Sequence, residues 1–354
     1  METLILTSED IHRAVQHVGL DALMDALIER LAEACAAFDP AVTVVPERAG
    51  FAYTRPVTGL LEWMPCLRTG EHAVVKLVGY HPANARTNGC PTIVSTVSAY
   101  DTASGHLRCL MDATLLTALR TGAASAVATR VLAVPDAATL GLIGVGAQAV
   151  TQLHALTRVR PLRRVLFHDA SAATAASFAG RVAAFAPDLD LEVATPTAIL
   201  ARADVVCTAT SVGVGAGPVF TLDAAEPRPW CHFNAVGSDF PGKTELPASL
   251  LRRSLVCPDF RPQALKEGEC QQLDPAALGP ALPELVRDAG RYAAYRDRLT
   301  VFDSTGWALE DQVAMDLFVE VAEELGLGTR LAIEALAGDA VNPYAALTAY
   351  APQP

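Results

Sequence analysis

The stretch Thr139-Leu-Gly-Leu-Ile-Gly144-Val-Gly146-Ala-Gln148-Ala149 decides the fold class. Its apolar start reads as a buried strand, Gly144-x-Gly146-x-x-Ala149 as a tight turn, and the residues after the turn as a helix. Gly144 permits the turn, Gly146 lets the backbone approach a pyrophosphate, and Ala149 lets helix and strand pack closely. The helix N-terminus adds free N–H groups and a positive dipole end. Gly144, Gly146, Ala147 and Gln148 are therefore candidate contacts to a dinucleotide. The next strand pattern ends at Asp169. A carboxylate there accepts hydrogen bonds from ribose hydroxyls and repels a 2′-phosphate, which predicts NAD rather than NADP.

Downstream, strand patterns at Arg163–His168, Leu191–Ala194, Asp204–Thr208, His232–Val236, Ser254–Cys257 and Thr300–Phe302 alternate with helical ones. That alternation predicts a doubly wound parallel sheet, an α/β Rossmann architecture. Thr208, Thr210 and Ser211 close the fourth strand, where ligands bind in such sheets. They read equally as nicotinamide-side contacts or as a polar strand end.

Upstream the pattern differs. Thr7 and Asp10 fit a capping box, opening a helix that runs to about residue 36. The β-rich runs Val42–Val45, Ala73–Val78 and Thr92–Tyr100, separated by turn clusters, predict a mostly antiparallel sheet in an α+β unit. Met111 to Ala133 reads as a long helix crossing into the parallel sheet, and a last helix from about Ala308 to Leu325 returns.

Bulk properties narrow the function classes. Hydrophobic residues make up 51% and charged residues 19% of 354, enough for a sizeable core. A net charge of −12 argues against a nucleic-acid partner. Eight scattered cysteines without a C-x-x-C pair read as reduced residues of a cytoplasmic protein, and eight histidines show no metal-ligand spacing. The most apolar stretch, 138–156, is broken by Gly144, Gly146, Gln148 and Gln152, so no membrane span is expected. The Met-Glu-Thr start shows no signal-peptide pattern.

Several charged residues sit among apolar ones: Arg48, Glu62, Lys76 and Arg120. Buried cations need partners. An amino-acid carboxylate would serve, and so would structural ion pairs. In Asn234-Ala-Val-Gly-Ser-Asp239-Phe-Pro-Gly-Lys243, Asp239 is presented at the carboxyl edge of the sheet. Oxidising an amine at Cα requires that the amine first be neutral, so a carboxylate base beside a nicotinamide fits; a plain turn residue is the other reading. Lys243 pairs with Asp239 or holds the cofactor. Glu267 and Glu269 share a face if extended and diverge on a helix; one of them could bind a distal ammonium, or the loop is simply solvated. Ser304, after the last strand, suits a nicotinamide or carboxylate contact.

Four segments in order, Leu119-Arg120-Thr-Gly122, Ile143-Gly-Val-Gly-Ala-Gln148-Ala, Asn234 to Leu246 and Val301-Phe-Asp-Ser304-Thr-Gly, resemble the ornithine cyclodeaminase/μ-crystallin family over essentially the whole chain. Within it the likeness is nearest to bacterial lysine cyclodeaminases, through Glu62-Trp-Met-Pro, Val78-Gly-Tyr80-x-Pro82-Ala-Asn84 and Glu267-Gly-Glu-Cys-Gln-Gln-Leu273. The resemblance implies a homodimer, with residues 1–120 and 310–354 forming the substrate-binding and dimerisation domain and 121–309 the NAD-binding domain. It implies that Arg48, Lys76 and Arg120 hold a substrate carboxylate, Glu62 and Glu267 address its amines, and Asp239 is the general acid/base. Thr92, Arg120, Gln148, Asp169, Lys243 and Ser304 would touch the cofactor. The implied activity is redox-neutral ring closure of a basic amino acid: L-lysine to L-pipecolate with loss of ammonia. L-ornithine to L-proline, or an amino-acid dehydrogenase or ketimine reductase, are the alternatives. The chain carries Ser238 where the family commonly has Gly, and Gly122 where Ala is frequent.

Overall fold

The computed structural model of the chain describes residues 1–334 and 339–344; of the segment 310–354, residues 335–338 and 345–354 lie outside the described residues. Two sheets organise the chain. The first contains β1 (Thr3–Leu6), β2 (Thr43–Val44), β3 (Ala49–Tyr53), β4 (Gly59–Arg68), β5 (His72–Tyr80), β6 (Ile93–Asp101) and β7 (Leu107–Asp112). The second contains β8 (Thr139–Ile143), β9 (Arg164–His168), β10 (Asp190–Val193), β11 (Val205–Thr208), β12 (His232–Ala235), β13 (Leu255–Pro258) and β14 (Thr300–Asp303). A last strand, β15 (Thr329–Leu331), returns to the first sheet beside β1.

The first sheet has the order β15-β1-β7-β6-β5-β4-β2, with β3 also on β4. It is antiparallel except where β1 runs parallel to β7. The second sheet, β10-β9-β8-β11-β12-β14-β13, is wholly parallel. Its order reverses between β8 and β11, which opens a crevice at their carboxyl ends. The expected mixed architecture is present. Parallel strands are covered on both faces, so β11, β12 and β14 are buried throughout.

The start of the chain holds one success and one correction. Thr7 accepts the Asp10 N–H and Asp10 accepts the Thr7 N–H, the reciprocal cap expected. The helix does not run unbroken to residue 36. It stops at Val18 and restarts at Leu20, because Gly19 adopts φ +88°. The crossing helix likewise begins at Thr114 rather than Met111, since Leu107–Asp112 pair with β6. Periodicity alone gave no sign of the switch from strand to helix within an apolar run.

The closing helix Ala308–Leu325 packs on β4, β5 and the helices Leu20–Ala36 and Thr114–Leu132. It buries Ala314, Met315, Leu317 and Phe318 in the largest apolar core. Among the described residues no helix is long and apolar enough to cross a membrane.

The helix Thr114–Leu132 also lies against Ala147–Val159, the helix opened by the glycine turn. They approach closely at Gly122, where a Cβ would lie 2.6 Å from the Thr151 carbonyl oxygen. Gly122→Ala gains helix propensity of about 1 kcal/mol. The clash is with backbone and outweighs it. The variant should lose about 1–3 kcal/mol net, read as a lower urea midpoint; an unchanged or higher midpoint would contradict this packing.

Candidate active site

The pocket forms where the antiparallel sheet faces the carboxyl edge of the parallel one. Leu60, Glu62 and Met64 point into it from β4, while the alternate residues Leu61, Trp63 and Pro65 face the other way. Register sets a grid: Met64 opposes Lys76, Glu62 opposes Val78, and Leu60 opposes Tyr80, with Ile93 beyond Tyr80. A charged and an apolar group thus lie side by side in two adjacent rows.

The cations meet there. Arg48 Nη1 is 3.3 Å from Glu62 Oε2, and its Nη2 is 2.7 Å from Glu267 Oε1. Nη2 also donates to the carbonyls of Thr305 and Gly306. Lys76 Nζ lies 2.7 Å from Asp311 Oδ1, and Arg120 Nε lies 3.1 Å from the same oxygen. Arg120 Nη1 reaches Glu310 Oε2 at 2.6 Å. Ion pairing and pocket lining therefore coexist: Arg48, Lys76 and Arg120 line the cavity and are each anchored by a carboxylate. Asp239 lines it too, with Lys243 Nζ 2.8 Å from its Oδ1 and 5.4 Å from the Tyr80 ring centre.

Burial tunes these groups. It pushes the Glu267 carboxyl up to about 8 against the pull of Arg48, and raises Glu62 as well. It brings the Lys76 ammonium down to about 8, with Arg120 adding to the effect and Asp311 opposing it. Both an acid and a base thus change charge close to neutrality.

Glu267 and Glu269 diverge. Glu267 faces Arg48; Glu269 is wholly buried and accepts from Ser238 Oγ and the N–H groups of Glu245 and Leu246. Ser238 thus anchors the turn that presents Asp239. Glu245 accepts from the Thr208 hydroxyl at 2.7 Å, the Thr210 N–H at 2.6 Å and the Gly237 N–H at 2.8 Å.

The residues of the glycine turn fit a dinucleotide. Gly144 has φ +84°, and a Cβ would sit 2.7 Å from the Ala209 carbonyl oxygen. Around Gly146, the residue before the helix, a Cβ would meet nothing within 4 Å, so space is open for a ligand. Asp169 is held at the end of β9 by the N–H groups of Val145 and Ser171, both at 2.8 Å. Gln148 and Ser304 line the pocket, and Ser304 Oγ is buried without a protein partner. Other expected contacts lie elsewhere. Thr92 is half-buried just before Ile93 and does not line the cavity. The Thr208 hydroxyl and the Thr210 N–H are taken by Glu245, and Ser211 is exposed.

Sequence reasoning missed Glu310 and Asp311. Their signal was two adjacent carboxylates in the first turn of an otherwise apolar helix, with unmatched Lys76 and Arg120 elsewhere. It also missed Asp259, which accepts from the Gly306 N–H and the Thr305 hydroxyl and so sets the turn that Arg48 grips.

A profile described as the ornithine cyclodeaminase/mu-crystallin family matches residues 8–325. The chain is 46% identical over 346 residues to L-lysine cyclodeaminase of Streptomyces rapamycinicus, covering 97% of this chain and 99% of the relative. A solved lysine cyclodeaminase, described as recognising L-lysine, L-ornithine and L-2,4-diamino butyric acid, superposes with TM-score 0.94 at 51% identity, covering 98% of this chain and 99% of that one. An archaeal alanine dehydrogenase dimer with bound NAD superposes with TM-score 0.82 at 28% identity, covering 94% of this chain and 100% of that one.

Gly306 offers a direct test of the cation cluster. It has φ +80°, and a Cβ would sit 2.4 Å from Arg120 Nη1. Gly306→Ala should displace that guanidinium and weaken binding of an amino-acid carboxylate by about tenfold or more, measured by calorimetric titration. Unchanged affinity would remove Arg120 from the ligand site.

Proposed function

This chain belongs to the ornithine cyclodeaminase/mu-crystallin family, and within it we propose that the chain is a cyclodeaminase that uses NAD to convert L-lysine into L-pipecolate and ammonia. One observation carries the reading. The pocket is lined by Glu62 and Asp239 together with Arg48, Lys76 and Arg120, and Glu267 stands directly behind Arg48, 2.7 Å from its Nη2. A simple α-amino acid offers one amine to such a site; a diamino acid uses the additional carboxylates.

Arg48, Lys76 and Arg120 receive the substrate carboxylate. Its arrival gives Arg48 a new anion and leaves Glu62 and Glu267 facing the two amines. Asp239, steadied by Lys243, takes the proton from the α-amine. Glu267 exchanges a proton with the side-chain amine, which must be neutral to attack Cα. Leu60, Met64, Val78 and Ile93 keep water from the reacting carbon. The backbone at Gly144, Gly146 and Ala147, with Asp169, Gln148, Lys243 and Ser304, would hold NAD. When bound, NAD supplies an acceptor that takes hydride from Cα and gives it back after ring closure, so no external reductant is consumed.

The division of the chain into 1–120 with 310–354 and an inserted 121–309 is part of this proposal, as is a homodimer. Phe51, Leu61, Leu77 and Val94 are exposed on the outer face of the antiparallel sheet, and a second copy would cover them.

Incubation with NAD and Cα-deuterated L-lysine tests the reaction. Pipecolate should retain the label, with equimolar ammonia and no lasting change in nicotinamide absorbance. Accumulating reduced cofactor without ring product would favour an amino-acid dehydrogenase instead. Asp239→Asn should lower kcat by about 10²–10⁴-fold while NAD binding persists.

The pH profile depends on the two buried groups. Glu267 must be ionised to hold an ammonium, so kcat/KM rises as pH approaches about 8. Lys76 must be charged to hold a carboxylate, so it falls above about 8. A narrow bell near pH 8 is expected, and a profile flat across that range would sink both assignments.

A further inference from the structure

Asp311 does not line the pocket, yet it is the group that two of the three pocket cations, Lys76 and Arg120, share. It sits in the first turn of the closing helix, fully buried, with Oδ1 2.7 Å from Lys76 Nζ and 3.1 Å from Arg120 Nε. Lys76 has no other hydrogen-bond partner among the described residues. Glu310, its chain neighbour, pairs with Arg120 alone.

We propose that Asp311 is a positioning residue for the reaction, which keeps Lys76 charged and aimed at the substrate carboxylate beside the competing cation Arg120. The inference rests on the reading of this pocket as an amino-acid site. Its physical basis is a crowding problem. Two cations within reach of one carboxylate oxygen repel each other, and a buried lysine relieves that repulsion by releasing its proton. Arginine does not have that option. Without the Asp311 charge, Lys76 therefore becomes a neutral amine and no longer attracts a carboxylate.

The other charged groups around Lys76 do not replace Asp311. Arg48 and Arg120 both disfavour its charged form. Glu62, on the adjacent strand β4, pairs with Arg48. Glu310 is committed to Arg120. Cys66 on β4 has a thiol that burial and Asp311 push up to about 12, so it contributes no negative charge. The Asp311 carboxyl is held below the ordinary range: burial opposes this, and Lys76 and Arg120 outweigh burial.

The test is the alkaline limb of kcat/KM for L-lysine in the full-length enzyme with NAD. Asp311→Asn keeps the shape and the oxygen acceptor and removes the charge. It should move that limb to lower pH by about one unit or more and raise KM far more than it lowers kcat. Glu310→Gln, equally buried on the same helix, should leave the limb in place. Asp311→Glu, which keeps the charge, should also keep it, and decides the matter alone if the Asn variant does not fold. An unmoved limb in Asp311→Asn, an equal shift in Glu310→Gln, or a full shift in Asp311→Glu overturns the proposal. If the wild-type chain turns over no basic amino acid, the pocket reading itself has failed; if it does and the limb ignores Asp311, only this inference has.

Discussion

A single buried carboxylate, Asp311, joins three parts of the chain that are far apart in sequence. Lys76 comes from a strand of the antiparallel sheet, Arg120 from the crossing helix, and Asp311 from the closing helix. Removing Asp311 would leave the buried Lys76 without its partner, at a cost of about 3–5 kcal/mol. The closing helix is therefore tied to its place by charge as well as by its apolar face. That tie lets the antiparallel sheet be built from both ends of the chain, with the parallel sheet inserted between them.

The remaining buried carboxylates obey a second logic. Glu245, Glu269, Asp259 and Asp303 each accept at least two backbone N–H groups from loops at the carboxyl edge of the parallel sheet. Loops rich in glycine have much conformational entropy to lose, and a carboxylate that collects several amides fixes them in one arrangement. Asp239 and Ser304 are presented by loops held this way. Glu62 and Glu267 differ: no backbone amide donates to either among the described residues, and both rely on Arg48. Carboxylates filled by amides are structural. Glu62 and Glu267, held by the Arg48 guanidinium and by no amide among the described residues, are the ones whose charge a ligand's cationic group can claim.

Much of the fold was legible because its signals are local. The glycine turn, the Thr7–Asp10 cap and the seven parallel strands each depend on residues close in sequence. The break at Gly19 was not legible, since a lone glycine within a helical pattern is often tolerated. Strands β3, β4 and β7 were missed because Arg48 to Asp112 mixes strand runs with turn residues, and only pairing across the sheet separates them. In the site, isolated charges on apolar elements marked Lys76 and Arg120 as buried. Their shared partner lies 235 and 191 positions away, a separation that no spacing rule in one sequence can bridge.

Charge balance completes the account of the site. The ion pairs around the cavity join Arg48, Lys76, Arg120 and Lys243 to Glu62, Asp239, Glu267, Glu310 and Asp311, and this paired set has an excess of one negative charge when all are ionised. A zwitterionic amino acid leaves that excess in place; a diamino acid, with two ammonium groups and one carboxylate, cancels it. In a pocket shielded from water an uncompensated charge is expensive, and protonation of Glu267 up to about pH 8 lowers that cost. In the proposed reaction, binding the second ammonium would supply the missing positive charge and favour the ionised form of Glu267, the form that can pair with that amine.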